Sequence, residues 1–120
     1  RFSSPQDVIS VIADKDQLNR VFSNLIKNAI QAIPDDRKGL ISLQLYREDH
    51  LAIIKVQDNG SGIPQELTEK IFVPNFTTKS GGTGLGLAMV KNIVEQNGGS
   101  VSFESVVDEG TTFTVRLPMA

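Results

Sequence analysis

The sequence predicts an α/β domain in which a sheet carries helices on one face. Two amphipathic helical segments and two pairs of hairpin-linked apolar strands, mixed along one chain, are the observations behind this prediction. A length of 120 residues fits one domain. A domain of this size buries roughly two-thirds of the surface of its unfolded chain, so a sizeable core is expected.

The predicted elements follow one another in a regular order. Residues 16–33 form the longest helix, because their apolar residues recur at steps of three and one along a single face. A shorter helix is predicted over residues 66–72, and another amphipathic helix over residues 85–97, before Gly98 and Gly99. Apolar runs and alternation predict strands at residues 8–13, 40–46, 51–57, 101–105 and 112–117.

The composition is ordinary, with 39% hydrophobic residues, 22% charged residues and a net charge of −2. The chain has no basic run and few aromatic residues, which argues against nucleic-acid partners and electrostatic membrane binding. It has no cysteine, which fits a reducing compartment. No apolar run reaches transmembrane length, and no signal-peptide pattern opens the chain. Because the sequence begins at Arg1, we expect a fragment of a longer protein.

Two asparagines mark the edge of the long helix. Asn24 and Asn28 are four residues apart, so both lie on one face, beside the apolar stripe. Asparagine favours caps and turns over helix interiors, so two of them here carry a small cost. Their amides suit a ligand or metal ion. The alternative is that both side chains are simply solvated on the flank of the helix. Without other segments to consider, this alternative is favoured.

Glycine-rich segments interrupt the chain twice. Residues 58–62, DNGSG, follow an apolar strand, where Asp58 can accept a hydrogen bond from an amino group in a pocket, although such a segment is more often a simple turn. Residues 80–87, SGGTGLGL, open a helix and can cradle an anion, with a flexible linker as the alternative. Their spacing matches neither the dinucleotide fingerprint nor the P-loop. Lys79 can meet a terminal phosphate or simply lie at the surface.

Other kinds of site find little support. His50 is the only histidine and lies between charged residues in a predicted hairpin loop, where a solvated side chain is favoured. One histidine and no cysteine argue against structural zinc. No second element places partners near His50 for a Ser-His-Asp triad.

In their order, these segments closely resemble the catalytic, ATP-binding domain of sensor histidine kinases. These belong to the GHKL superfamily, which has the Bergerat fold and includes gyrase B subunits and heat-shock chaperones. The resemblance rests on NLIKNAIQAI as the N box, DNGSGIP and GGTGLGLAMVKNIVEQNGG as the glycine boxes, IFVPNFTTK as the F box, and the terminal GTTFTVRLP. It covers residues 8–118 or so, and four boxes in order are highly specific.

The resemblance implies a two-layer α/β sandwich, with a mixed five-stranded sheet and about three helices on one face. It implies a single domain over residues 1–120 that binds ATP and Mg²⁺. Asn28 would ligate the metal, and Asn24 would either ligate it too or support Asn28 from outside the ligand set. Asp58 would accept a hydrogen bond from the adenine amino group. Residues 73–82 would form a mobile lid. The remaining residues implied in nucleotide binding are Gly60, Gly62, Lys79, Gly82, Thr83, Gly84, Leu85, Gly86, Leu87 and Thr111. The implied catalytic residues are Asn24, Asn28 and Lys79.

The implied activity is protein-histidine kinase in two-component signal transduction. ATP-hydrolysing relatives carry a glutamate where this chain has Asn24, which cannot take a proton, so phosphate transfer is favoured over hydrolysis. The acceptor histidine would lie on a separate dimerisation domain of the same parent, so this chain alone should not autophosphorylate. A response regulator would be an indirect partner, and the chain would be the cytoplasmic part of a sensor that can be membrane-bound. Asn75 replaces an aromatic residue often found in the F box.

Two alternatives stay open. A free-standing GHKL serine kinase of the anti-sigma-factor type has a similar length, although the FTTK and NAIQAI segments resemble sensor kinases more closely. A nucleotide-binding regulatory module without catalysis is the other.

Overall fold

A computed structural model describes residue 11, residues 13–73 and residues 86–119. The elements in order are α1 (Lys15–Ala32), β1 (Ile41–Glu48), β2 (Leu51–Asp58), a 3-10 turn (Gln65–Leu67), α2 (Leu87–Gln96), β3 (Ser100–Val106) and β4 (Gly110–Pro118). The four strands form one sheet in the order β1-β2-β4-β3. The predicted two-layer α/β architecture is thereby confirmed.

The predicted long helix is α1, within one residue at each end. It begins after Asp14, whose side chain accepts a hydrogen bond from the backbone N–H of Gln17 at 3.0 Å. This cap satisfies one of the amides that have no partner inside the helix. The helix ends before Pro34, which cannot continue it.

The sheet differs from the expectation in strand count and direction. All three pairings among the described strands are antiparallel, whereas a mixed, five-stranded sheet was expected. The predicted strand at residues 8–13 falls mostly outside the described residues, and Val11 and Ala13 are not in a strand.

The predicted helix at residues 66–72 is wrong. The segment forms the 3-10 turn Gln65–Leu67 followed by further turns, so the described residues contain two α-helices rather than about three. Its backbone bonds span three residues, as in Lys70 N–H to Leu67 O and Val73 N–H to Lys70 O. The segment nonetheless buries Ile71, which is 1% exposed.

The core lies between the helices and one face of the sheet. It is formed by Ile71 and by apolar side chains of α1 and α2 packed on β2 and β4: Val21, Leu25, Ala29, Val56, Leu87, Val90, Ile93, Val94, Phe113, Val115 and Leu117. At roughly 1.5–3 kcal/mol per buried large apolar side chain, this cluster is the main stabilising feature of the domain. It also fixes α1 and the start of α2 above the same end of the sheet.

Candidate functional site

A cavity of about 270 Å³ opens at that end of the sheet. α1 forms one wall, the ends of β2 and β4 form the floor, and the segment after β2 forms the opposite wall. The lining residues are Asn28, Gln31, Ala32, Asp58, Ser61, Gly62, Ile63, Pro64, Leu67, Ile71, Leu87, Thr111 and Phe113. The structure thus brings five of the predicted site residues together: Asn28, Asp58, Gly62, Leu87 and Thr111. A mainly apolar cavity with a few polar groups is the usual form of a small-molecule site.

Asp58 is the buried acid of this cavity. It is the last residue of β2, pairs with Thr111 of β4, and is 6% exposed. Its Oδ1 accepts hydrogen bonds from the backbone N–H of Gly60 at 2.8 Å and of Thr111 at 3.3 Å. Among the described residues none donates to Oδ2, so that oxygen can accept from a ligand.

Burial raises the pKa of the Asp58 carboxyl, and the hydrogen bonds from Gly60 and Thr111 lower it by a smaller amount. The raised value means that the ionised side chain costs stability in the folded protein. A buried carboxyl with a raised pKa in a cavity is a candidate functional group.

Gly60 and Gly62 hold the turn after β2 against its neighbours. A Cβ on Gly60 would lie 2.5 Å from the carbonyl oxygen of Ala32, the last residue of α1. Only glycine therefore allows Ser61 to donate its backbone N–H to that oxygen at 3.0 Å. Gly62 lies similarly close to the backbone of Val106 in β3. The turn is thus fixed between α1 and the β3–β4 hairpin.

The paired asparagines are linked to each other and to α2. Asn28 Nδ2 donates to Asn24 Oδ1 at 3.1 Å, which directs the Asn28 carbonyl away from Asn24. Gly86, with φ 67°, precedes α2, and a Cβ there would overlap the Asn24 amide nitrogen. Asn24 does not line the cavity. It lies between Asn28 and the N-terminal end of α2, and it holds both in place.

The residues present fit an Mg²⁺ site that is completed by a ligand. No cluster of three or more His, Cys, Asp or Glu side chains that could hold a metal occurs in the described parts of the chain. Mg²⁺ prefers oxygen ligands, keeps several waters, and is often held by one or two protein groups together with substrate phosphates. An amide oxygen of Asn28 on the cavity wall can supply one such ligand.

Sequence reasoning missed Arg37 and Asn59. Arg37 donates from one guanidinium nitrogen to the carbonyl oxygens of Asn59 at 2.6 Å and Gly60 at 2.9 Å. The Asn59 side chain accepts from the N–H of Leu40 at 2.8 Å and donates to the carbonyl of Lys38 at 3.0 Å. These bonds tie the α1–β1 loop to the turn that carries Asp58. Their partners are backbone atoms distant in sequence, so no local pattern reveals them.

Ser105 is another residue that sequence reasoning missed. It is on β3, opposite Thr111 of β4. Its Oγ lies 2.9 Å from Thr111 Oγ1 and accepts the backbone N–H of Ile63 at 2.7 Å. It shares the inner face of β3 with Val101 and Phe103, but nothing in the sequence placed it beside Ile63.

The predicted residues Lys79, Gly82, Thr83, Gly84 and Leu85 lie outside the described residues, as do Asn75 and all of the predicted lid except Val73. Gly86 and Leu87 are the described part of the second glycine box. Within the helices that are described, none is long and apolar enough to cross a membrane.

Comparisons with known proteins agree with this geometry. Residues 13–120 match the family model described as histidine kinase-, DNA gyrase B-, and HSP90-like ATPase. The chain is 44% identical to the sensor histidine kinase ZraS of Salmonella typhimurium, covering 99% of this chain and 25% of that protein. It is 38% identical to sporulation kinase A of Bacillus subtilis, covering 98% of this chain and 19% of that protein. The chain thus spans a quarter or less of these relatives.

Solved structures show the same likeness. The catalytic domain of the histidine kinase ThkA superposes with a TM-score of 0.79 at 38% identity, covering 90% of this chain and 70% of that one. The mycobacterial sensor histidine kinase MprB gives a TM-score of 0.79 at 30% identity, covering 91% of this chain and 76% of that one.

Proposed function

This chain belongs to the family of histidine kinase-, DNA gyrase B- and HSP90-like ATPases, and on that premise we propose that it is the ATP-binding catalytic domain of a sensor histidine kinase. The observation that carries the proposal is a single cavity shared by Asn28, Asp58 and Thr111. An amide, a buried carboxylate and a hydroxyl thus converge from a helix and two strands on a space with mainly apolar walls.

The adenine base occupies the end of the cavity beside Asp58. Oδ1 is held by two backbone N–H groups, so Oδ2 keeps a fixed direction for the exocyclic amino group of the base. Ile63, Ile71 and Phe113 provide apolar surface for the flat ring. Polar recognition at one edge with apolar contacts on the faces favours a nucleobase over an aliphatic ligand.

The phosphates extend towards the asparagines and the start of α2. Gly86 occupies the N-cap position of α2 and has no side chain. It therefore cannot accept a hydrogen bond from the first backbone N–H groups of the helix. Such N–H groups, together with the helix dipole, favour an anion at this end. Lys79 and the preceding glycines are proposed to complete the phosphate contacts.

Asn28 holds Mg²⁺ in this proposal, and Asn24 keeps the Asn28 amide oriented through the 3.1 Å hydrogen bond. When bound, the metal neutralises phosphate charge and aligns the phosphates. Residue 24 does not act as a base, because an amide cannot accept a proton at neutral pH. The domain therefore positions ATP for attack and does not activate water.

The nucleophile is an imidazole nitrogen of a histidine on a separate dimerisation domain. The nitrogen forms a bond to the γ-phosphorus as the bond to the ADP oxygen breaks, and the imidazole releases its own proton. His50 is not this acceptor. It is exposed in the β1–β2 hairpin, at the opposite end of β2 from Asp58. Since a strand rises about 3.4 Å per residue, roughly 25 Å separate the two ends. A response regulator then receives the phosphate from that histidine.

The test mixes the purified chain and ATP with a dimerising helical hairpin that carries a histidine. We expect acid-labile phosphate on the hairpin, and none on this chain when it is incubated alone. Asn28→Ala should abolish transfer, whereas Asn19→Ala, an exposed asparagine of the same helix, should not. Acid-stable phosphoserine on a partner would instead establish the serine-kinase alternative. Tight Mg²⁺-dependent ATP binding without transfer to any hairpin of the parent would favour a regulatory module.

A further inference from the structure

Three polar side chains form a row across the sheet, and two of them, Asp58 and Thr111, line the cavity. Asp58 of β2 pairs with Thr111 of β4, and Thr111 pairs with Ser105 of β3. The next inner-face row is Val56, Phe113 and Phe103, which is apolar throughout. The polar row therefore lies at the boundary between the core and the cavity, with Ser105 farthest from Asp58.

Ser105 is the centre of the hydrogen bonds of this row. Ile63 N–H donates to Ser105 Oγ at 2.7 Å, which leaves Ser105 one hydrogen to give. Its two acceptors within reach are Thr111 Oγ1 at 2.9 Å and Gly110 O at 3.3 Å. Either hydroxyl can donate in the 2.9 Å contact, so Ser105 can give its hydrogen to Thr111 Oγ1 whenever Thr111 directs its own hydrogen to a ligand. The bond from Ile63 also polarises the Ser105 hydroxyl and makes it a stronger donor.

Donation from Ser105 to Thr111 decides what Thr111 offers to a ligand. Once its oxygen accepts from Ser105, the Thr111 hydrogen has no acceptor among the described residues and is available to the cavity that Thr111 lines. The floor then presents an acceptor, Asp58 Oδ2, next to a donor, Thr111 Oγ1. The complementary ligand edge has an amino group beside an unprotonated ring nitrogen. Adenine has this edge, whereas guanine has a carbonyl beside a protonated nitrogen.

We propose that Ser105 is a positioning residue for base recognition, which turns the Thr111 hydroxyl into a donor for the ring nitrogen beside the adenine amino group. The inference rests on the proposed ATP binding and adds a specificity role for a residue outside the four boxes. Ser105 does not touch the base. It acts through Thr111, and it also fixes the cavity wall through Ile63.

The experiment removes the relevant atom from the ligand as well as from the protein. Affinities of ATP, 1-deaza-ATP and 7-deaza-ATP are measured by calorimetry for the whole chain. 1-deaza-ATP lacks the nitrogen beside the amino group, and 7-deaza-ATP lacks a nitrogen on another edge. We expect the wild-type chain to prefer ATP over 1-deaza-ATP by about tenfold, the equivalent of one good hydrogen bond. Ser105→Ala should reduce that preference to about threefold or less.

The controls separate positioning from general loosening. Ser105→Thr keeps a hydroxyl and should keep the preference. Ser102→Ala, on the outer face of the same strand, should change nothing. In a Thr111→Val background, Ser105→Ala should have no further effect on the ratio. An equal loss of affinity for ATP and both analogues in Ser105→Ala, or an unchanged ATP to 1-deaza-ATP ratio, overturns the proposal. Failure of the wild-type chain to bind ATP would instead overturn the proposed function itself.

Discussion

Replacing Asp58 by asparagine should separate nucleotide binding from folding. The change keeps the shape of the side chain and keeps Oδ1, which accepts from Gly60 and Thr111 at 2.8 and 3.3 Å. It replaces Oδ2 by an NH₂ group. An acceptor facing the adenine amino group thus becomes a donor facing a donor, at a side chain that is only 6% exposed.

The loss of affinity follows from this exchange. A hydrogen bond to a charged acceptor contributes about 1.5–3 kcal/mol, and a buried donor without an acceptor costs about 1–3 kcal/mol. Because the two effects overlap, a total of about 3 kcal/mol is expected, which corresponds to roughly a hundredfold weaker binding. Guanine nucleotides should not lose affinity in the same way, since guanine presents a carbonyl oxygen that the new NH₂ group can bind.

Stability should change in the opposite direction. Burial raises the folded-state pKa of Asp58 above its ordinary value of 3.8. The stabilising contribution of the protonated form is therefore fully present below that value and is lost as pH rises through the folded-state pKa. At pH 7 the wild-type protein carries the cost of the buried charge, and Asp58→Asn does not. The variant should unfold at equal or higher denaturant concentration at pH 7, with its advantage disappearing below about pH 4.

The assay pairs calorimetric titration with a non-hydrolysable ATP analogue and urea unfolding from pH 3 to 8. Asp49→Asn is the matched control, because it makes the same chemical change at an exposed position in the β1–β2 hairpin. An affinity of Asp58→Asn within about threefold of the wild type, well under the tenfold that 1.4 kcal/mol produces, would refute the adenine contact. A variant much less stable than the wild type at pH 7 would refute the expectation that removing the buried charge does not destabilise the fold.

Further predictions concern the surroundings of the cavity. Gly86→Ala should lower ATP-analogue affinity and the melting temperature, because its Cβ would overlap the Asn24 amide at a left-handed φ of 67°; retention of both values would contradict this packing. Arg37→Met should lower the free energy of unfolding by about 2 kcal/mol through loss of two hydrogen bonds, whereas Lys38→Met, at an exposed neighbouring position, should have little effect in the same urea titration. Leu25→Ala should cost about 3 kcal/mol or more, since Leu25 is 0% exposed; a loss under about 1 kcal/mol would mean that the core collapses around the gap.

The regular elements were predictable because their burial is periodic. In α1, Val21, Leu25 and Ala29 recur four residues apart and all are buried, as the apolar stripe predicted. In β1 the apolar residues Ile41, Leu43 and Leu45 alternate with polar ones, and a short hairpin joins β1 to β2, so their register follows from the chain itself. By contrast, residues 65–73 have no period to detect. Their turns are held by local backbone bonds and by the burial of Ile71, and the burial depends on the finished core.

The candidate site also contains residues that could be predicted from the sequence and residues that could not. Asp58 was predictable because a carboxylate after an apolar strand, next to glycines, is a local pattern. Arg37 and Ser105 were not, since each acts on backbone groups far along the chain: Arg37 on Asn59 and Gly60, and Ser105 on Ile63. A polar residue in a loop or on a strand gives no sign of which distant carbonyl or N–H it will meet. Such partners are set by the sheet order and become visible only in three dimensions.

Asn24 shows why the site is more than a set of separate motifs. Its oxygen accepts from Asn28, the proposed metal ligand, and its nitrogen packs against Gly86 at the start of α2, the proposed phosphate-binding end. One amide therefore sets the spacing between the metal ligand and the phosphate-binding N–H groups. A glutamate at this position could still accept from Asn28. Its longer side chain and second oxygen would, however, lie against the closely packed Gly86 backbone. An amide rather than a carboxylate at residue 24 is therefore matched by the packing around it, which supports the proposal that the domain positions ATP for a protein acceptor and does not activate water.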